Sequence, residues 1–221
     1  MTSGRLVRTN SVVVRLRTIV AVAVLLPLAY FANGLLQTEA PPQVAALPVN
    51  EEALAEGDLI FRRGRDLMAG SVLAADPSAR FSHVGIILRQ LDGLVVVHAV
   101  PDEGGNAGGV IVEPLAHFLA SEVAVDHAIL RLRGLTSRQQ LLIRNAAFEQ
   151  LGKPFDFELR LSDASQVYCS ELVLRVFASA GVGLGDNLRE VRTVMMSEPA
   201  VAPDSLRGSA RLWDVTDLVA P

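Results

Sequence analysis

Two short apolar runs, "SHVGIILR" at 82–89 and "LVVVHAV" at 94–100, constrain the fold of this chain more than any other feature. The residues between them, Gln90-Leu91-Asp92-Gly93, carry turn chemistry, and the runs themselves are rich in β-branched side chains. Neither run alternates apolar with polar, so a strand pair built from them must be covered on both faces. The hairpin is expected at the centre of an antiparallel sheet. Each run is interrupted by a single histidine, His83 and His98. A tight turn at Asp92-Gly93 pairs Ile87 with His98 and leaves the imidazoles roughly 13 Å apart along the ladder. A loop over 89–92 instead pairs His83 with His98 directly. Both registers put the two rings on one face, and the sequence leaves both open.

Around this hairpin the coarse pattern is strands first, helices after, with hairpin spacing rather than βαβ spacing. "DLIFR" (58–62), "VIVEPL" and "DHAILRLR" (126–133) read as further strands, and "PDEGGNAGG" as a flexible loop. Asn50 caps a short helix over 51–53. Thr136 with Gln139 forms a capping box whose helix stops at Gly152, and "YCSELVLRVFASAG" is a second helix ended by Gly181. The fold class is α+β with an antiparallel sheet.

The N-terminus has a different composition. Residues 1–17 contain Arg5, Arg8, Arg15 and Arg17 and no acid, and 18–36, "TIVAVAVLLPLAYFANGLL", are uncharged and almost wholly apolar. At 1.5 Å rise this run is long enough to cross a bilayer core of roughly 30 Å. The one-sided positive charge puts the N-terminus in the cytoplasm and the rest across the membrane. The run reads as a transmembrane anchor or a signal sequence, leaving the chain anchored at a bacterial inner membrane facing the periplasm or exterior, or secreted after cleavage. Residues 37–50 are a proline-rich linker, and 51–221 form the domain. The four Arg and one Glu before residue 50, taken from 20 basic and 24 acidic residues, leave the domain at a net charge of −7. That excludes a phosphate-binding surface, so no nucleic-acid partner is expected.

Cys169 is the only cysteine, so an internal disulfide is impossible. It opens the helix whose Leu172, Val173, Val176 and Ala180 share its face, which points the thiol toward the sheet. The unpaired N–H groups and dipole of a helix start are expected to lower its pKa toward the thiolate. A thiolate, an imidazole base and a polar group orienting that base make up the cysteine-hydrolase arrangement. Glu171 suits the dipole of the first helical turn, and His117 and His127 read as surface residues. No HExxH or clustered Cys/His pattern is present, so no metal or cofactor is expected. "GGNAGG" leads into a strand, not a helix, and fails as a phosphate loop.

Taken together, "EGDLIFRRG", "FSHVGIIL", "VVVHAV", "VIVEPLAHF", "GKPFDF" and "YCSELVLRVF" resemble, in this order, the permuted papain-like amidases. These form the YaeF/YiiX-type branch of the NlpC-like cysteine hydrolases and are related to lecithin–retinol acyltransferase-like proteins. The resemblance spans about 54–180 and implies a circularly permuted papain-like fold, with a barrel-like antiparallel sheet packed on the cysteine-bearing helix. It implies Cys169 as nucleophile, His83 as base, and His98 as the third polar residue, where much of the amidase branch has glutamate. The backbone N–H of Cys169 would contribute to an oxyanion hole, and Tyr168 would add to it or line the substrate pocket. The expected activity is amide hydrolysis through a Cys169 acyl-enzyme, with cell-wall peptides the nearest substrate class by location. The alternatives are a lipid acyltransferase or thioesterase-like enzyme of the same fold, motivated by His98 and the nearby bilayer, and a non-catalytic wall-peptide-binding domain.

Overall fold

The computed structural model describes residues 45–102, 108–185, 188–192 and 196–221. The basic segment and the apolar run at 18–36 lie outside them. Among the described residues no helix is long and apolar enough to cross a membrane.

The elements in chain order are β1 (Leu59–Gly64), α1 (Leu67–Ala75), β2 (His83–Gln90), β3 (Gly93–Val100), β4 (Gly109–Pro114), α2 (Leu115–Phe118), β5 (Ala124–Leu132), α3 (Ser137–Glu149), α4 (Cys169–Ser179), β6 (Glu190–Val191), β7 (Ala200–Val201), α5 (Pro203–Leu206) and β8 (Leu212–Asp214). Six strands form one sheet in the order β4-β3-β2-β1-β5-β8, antiparallel at every pairing. The order places β4 and β8 at opposite edges, so the sheet is open where a barrel-like one was expected. The central hairpin is covered on both sides, as its unbroken apolar runs require: residues 84–88 and 96–99 are all buried.

Alternate residues feed two cores. Leu59, Phe61, Val84, Ile86 and Val97 join Leu172, Val173, Val176 and Phe177 of α4 and Ile143 of α3 on one face. Ile60, Ile87, Val96 and Ile129 join Phe118 of α2 and the C-terminal Val215 and Val219 on the other. Ala46, Leu47 and Val49, at the end of the segment read as linker, pack against this second core. The caps form as their sequences dictate: the Asn50 side chain accepts the Glu52 N–H, and Thr136 and Gln139 close a capping box on α3.

The β2–β3 register matches neither alternative. Gln90 pairs with Gly93 and Ile86 with Val97, so the connection is a two-residue turn at Leu91-Asp92. Continuing this register places Gly85, not His83 or Ile87, across from His98. A Cβ at position 85 would fall 2.3 Å from Val96 Cγ1 and 3.2 Å from His98 Cβ. The missing side chain opens the diagonal along which His83 reaches His98. Gly85→Ala is therefore expected to cost about 1–3 kcal/mol through overpacking. An unchanged urea midpoint would show that the space is not needed.

Candidate active site

His83 is the first residue of β2 and pairs with Arg62 of β1. Its Nε2 lies 2.7 Å from His98 Nδ1, on β3. The opposite ring nitrogen of His98, Nε2, lies 2.8 Å from Glu113 Oε1, on β4. Three adjacent strands thus line up His83, His98 and Glu113. Phe118 of α2 packs under both rings, with centroids 5.7 Å from His83 and 5.1 Å from His98. Arg62 lies over the Phe118 ring, donates to the Phe118 carbonyl at 3.1 Å, and stands 3.8 Å from Glu113 Oε1.

The arrangement favours one set of tautomers. With its proton on Nε2, facing the Glu113 carboxylate, His98 presents a bare Nδ1 to His83. His83 then donates from Nε2, which leaves its Nδ1 lone pair as the candidate base. Burial works against ionisation of Glu113, but the His98 ring and the Arg62 guanidinium more than offset it, holding the carboxyl below its ordinary range. Burial pushes His98 down despite Glu113. His83 is held well below the ordinary 6.5, first by burial and then by Arg62 and His98, so it rests as a neutral imidazole.

Cys169 opens α4 and is buried within the core cluster on the α4 side of the sheet, whereas the imidazoles pack on the Phe118 side. The two meet at the end of the sheet, where His83 and Cys169 line one cavity. His98 stands behind His83 and Glu113 behind His98. Among the described residues the thiol's side-chain hydrogen bond is with Ser170 Oγ at 3.9 Å, not with the His83 ring. Burial pushes the Cys169 thiol above the ordinary 9.0, opposed by the Ser170 hydroxyl and by the backbone N–H groups of Val84, Ser170 and Cys169. The helix-start effect expected from the sequence is present, but desolvation outweighs it. Burial thus favours the neutral form of both the thiol and the imidazole.

Tyr168 also lines this cavity. Its hydroxyl accepts the Val201 N–H at 3.1 Å, which ties β7 to the start of α4, and burial pushes its pKa up. Glu171 closes the helix start by accepting the Tyr168 N–H at 3.3 Å and pairs with Arg175. Burial raises its pKa to about 7 against the pull of Arg175. Both contacts lie within α4 and its N-cap. His117 is exposed, while His127 is half-buried on β5.

Glu113 is the functional candidate that the sequence reading missed. Its signal was parity: across from His98 sits Ile111, and Glu113, two residues on, shares that face.

The description "permuted papain-like amidase enzyme, YaeF/YiiX, C92 family" matches residues 53–215. The uncharacterized protein YiiX of Escherichia coli (strain K12) is 30% identical over 147 residues, covering 66% of this chain and 68% of that protein. A crystal structure described as the metalloprotein YiiX from Escherichia coli O157:H7 superposes with a TM-score of 0.59 at 24% identity, covering 78% of this chain and 97% of that one. Among the described residues no three His, Cys, Asp or Glu side chains are grouped as a metal site, and His83 and His98 turn their nitrogens on each other. The match over 53–215, with Cys169, His83 and His98 inside it, shows that this chain belongs to the permuted papain-like amidase family of the YaeF/YiiX type.

Proposed function

We propose that this protein is an exported cysteine amidase that works through an acyl-enzyme on Cys169. The observation that carries the reading is the ordered line Glu113–His98–His83, which ends at the cavity that Cys169 shares. His83 Nδ1 takes the thiol proton as Sγ adds to the substrate carbonyl carbon, so a neutral pair becomes charged only as bonds change. The backbone N–H of Cys169 stands at the helix start to receive the developing oxyanion. His83 returns the proton to the leaving nitrogen, the C–N bond breaks, and a thioester remains on Sγ. Water, deprotonated by His83, then attacks the thioester carbon; the C–S bond breaks and the thiol is restored. His98 and Glu113 hold the His83 tautomer throughout and stabilise the imidazolium. Export rests on the basic 1–17 and the apolar run 18–36, which together would keep the domain at a membrane facing outward.

The pH profile tests this reading. The base is active when neutral and its pKa is depressed, so activity is retained below 6.5 and is lost only as pH falls through the folded value of His83. The raised thiol puts uncatalysed alkylation of Cys169 above 9.0. An acid limb of kcat/KM at or above 6.5 would contradict the neutral dyad.

A further inference from the structure

We infer that Ser82 is a second donor to the oxyanion, its hydroxyl meeting the substrate carbonyl together with the backbone N–H of Cys169. The inference rests on the thiol-hydrolase reading and adds to it a residue that touches the reacting atoms. Ser82 stands directly before His83 and lines the cavity that His83 and Cys169 share. It is 4% exposed, and the Gly64 N–H, at 2.9 Å, pins its Oγ. Its own N–H donates to the Arg62 carbonyl at 3.1 Å, which fixes the backbone there. A serine hydroxyl has one proton to donate and two lone pairs to offer. Among the described residues the Ser82 Oγ accepts from Gly64 and its proton meets no acceptor, so a buried donor is left over at the cavity wall.

Strand parity places this donor on the face that the thiol occupies. Val84 and Ile86 point into the core under α4, whereas His83 turns to Phe118, so Ser82 shares the α4 face with Cys169. The thiol borders β2 two residues further on, where the Val84 N–H faces Sγ. Two strand residues span roughly 6–7 Å, about what a C–S bond, a C–O bond and a hydrogen bond reach end to end. The other polar groups of the wall are committed elsewhere. His83 donates its Nε2 proton to His98 and keeps Nδ1 for the thiol proton. The Tyr168 hydroxyl is held at β7 by the Val201 N–H. Beyond these and Cys169, every described wall residue is aliphatic, methionine, proline or phenylalanine. As Sγ adds, the carbonyl becomes C–O⁻, whose charge a single N–H leaves partly unmet. Ser82 keeps its proton throughout: no bond to it forms or breaks, and only its hydrogen bond strengthens. A donor already pinned by Gly64, in a wall otherwise apolar, needs little reorganisation and acts at low dielectric, where such a bond is worth most.

The test compares two reactions of Cys169 in the full chain at one pH. Acylation by 4-nitrophenyl acetate passes through an oxyanion, whereas alkylation by iodoacetamide does not. Ser82→Ala is expected to slow acylation about 100-fold, the scale of one lost oxyanion donor, and to leave alkylation within about twofold. Ser82→Thr keeps the hydroxyl and is expected to recover most of the acylation rate. Should Ser82→Ala fail to fold, Ser82→Thr and Ser82→Val, alike in shape and unlike in hydrogen bonding, give the same comparison. An unchanged acylation rate in Ser82→Ala would overturn the inference, as would an equal fall in both reactions, which marks a structural role. So would a loss that follows Tyr168→Phe and spares Ser82→Ala. In each of these cases acylation of the wild-type thiol leaves the hydrolase reading standing. No acylation of Cys169 in the unaltered chain would overturn both.

Discussion

Cys169→Ala is expected to abolish amide turnover, with a fall in kcat on the order of 10⁶, the scale seen when a hydrolase loses its nucleophile. The domain itself should survive. The thiol is a small buried group at a helix start, 3.9 Å from Ser170 Oγ, so its loss should cost no more than about 1–2 kcal/mol. Circular dichroism and a urea melt check the fold, and turnover of an acyl amide checks the chemistry. A packed, idle cysteine predicts the reverse ordering: activity unchanged, with the whole effect in stability. The contrast is sharp because the same residue belongs both to the core and to the cavity wall.

The second large effect lies along the line of strands behind the thiol. His83→Ala removes the proposed base and is expected to lower kcat/KM by about 10²–10⁴. On the same proposal Glu113 acts through His98, so Glu113→Gln should cost less, about 10–100-fold, mostly in kcat with little change in KM. A structural role alone would not move the pH profile. Losing the carboxylate that fixes the His98 proton on Nε2 should displace the acid limb, and Glu113→Asp should restore part of both rate and profile. If Glu113→Gln kept wild-type rate and profile, the carboxylate would be no part of the relay.

Much of this was legible from residue order. Unbroken apolar runs around His83 and His98 required a hairpin covered on both faces, and that is what the two cores provide. The α4 face was legible because Leu172, Val173, Val176 and Ala180 repeat at helical spacing, and all four are buried. Register was not. Gln90-Leu91-Asp92-Gly93 permits several turns, and the one adopted, Leu91-Asp92, leaves no room for a Cβ at Gly85 beside Val96. The dyad therefore forms on a diagonal that neither expected register contained. Glu113 was hidden for a related reason: a strand that begins only at Gly109, well past the end of β3 at Val100, has no local feature that sets its register against β3. The thiol's acidity was misjudged because a helix start is visible in sequence while the depth of burial is not. The N–H groups do pull the pKa down, and desolvation of a largely enclosed sulfur pulls it further up.

The resting contacts also carry a kinetic consequence. Cys169 is hydrogen-bonded to Ser170 rather than to His83, so on the proposed mechanism proton transfer requires the ring and thiol to close on each other over bound substrate. Slow reaction of Cys169 with a general alkylating reagent such as iodoacetamide is the expected result.

The central claim, that Cys169 is a nucleophile deprotonated by His83, is tested most directly by intact-protein mass spectrometry of the full chain during reaction with an activated acyl ester. The account predicts one acyl adduct, located on Cys169, absent in Cys169→Ser, and formed at least about 100-fold more slowly in His83→Ala. An adduct elsewhere, or formation at the wild-type rate without His83, would contradict it.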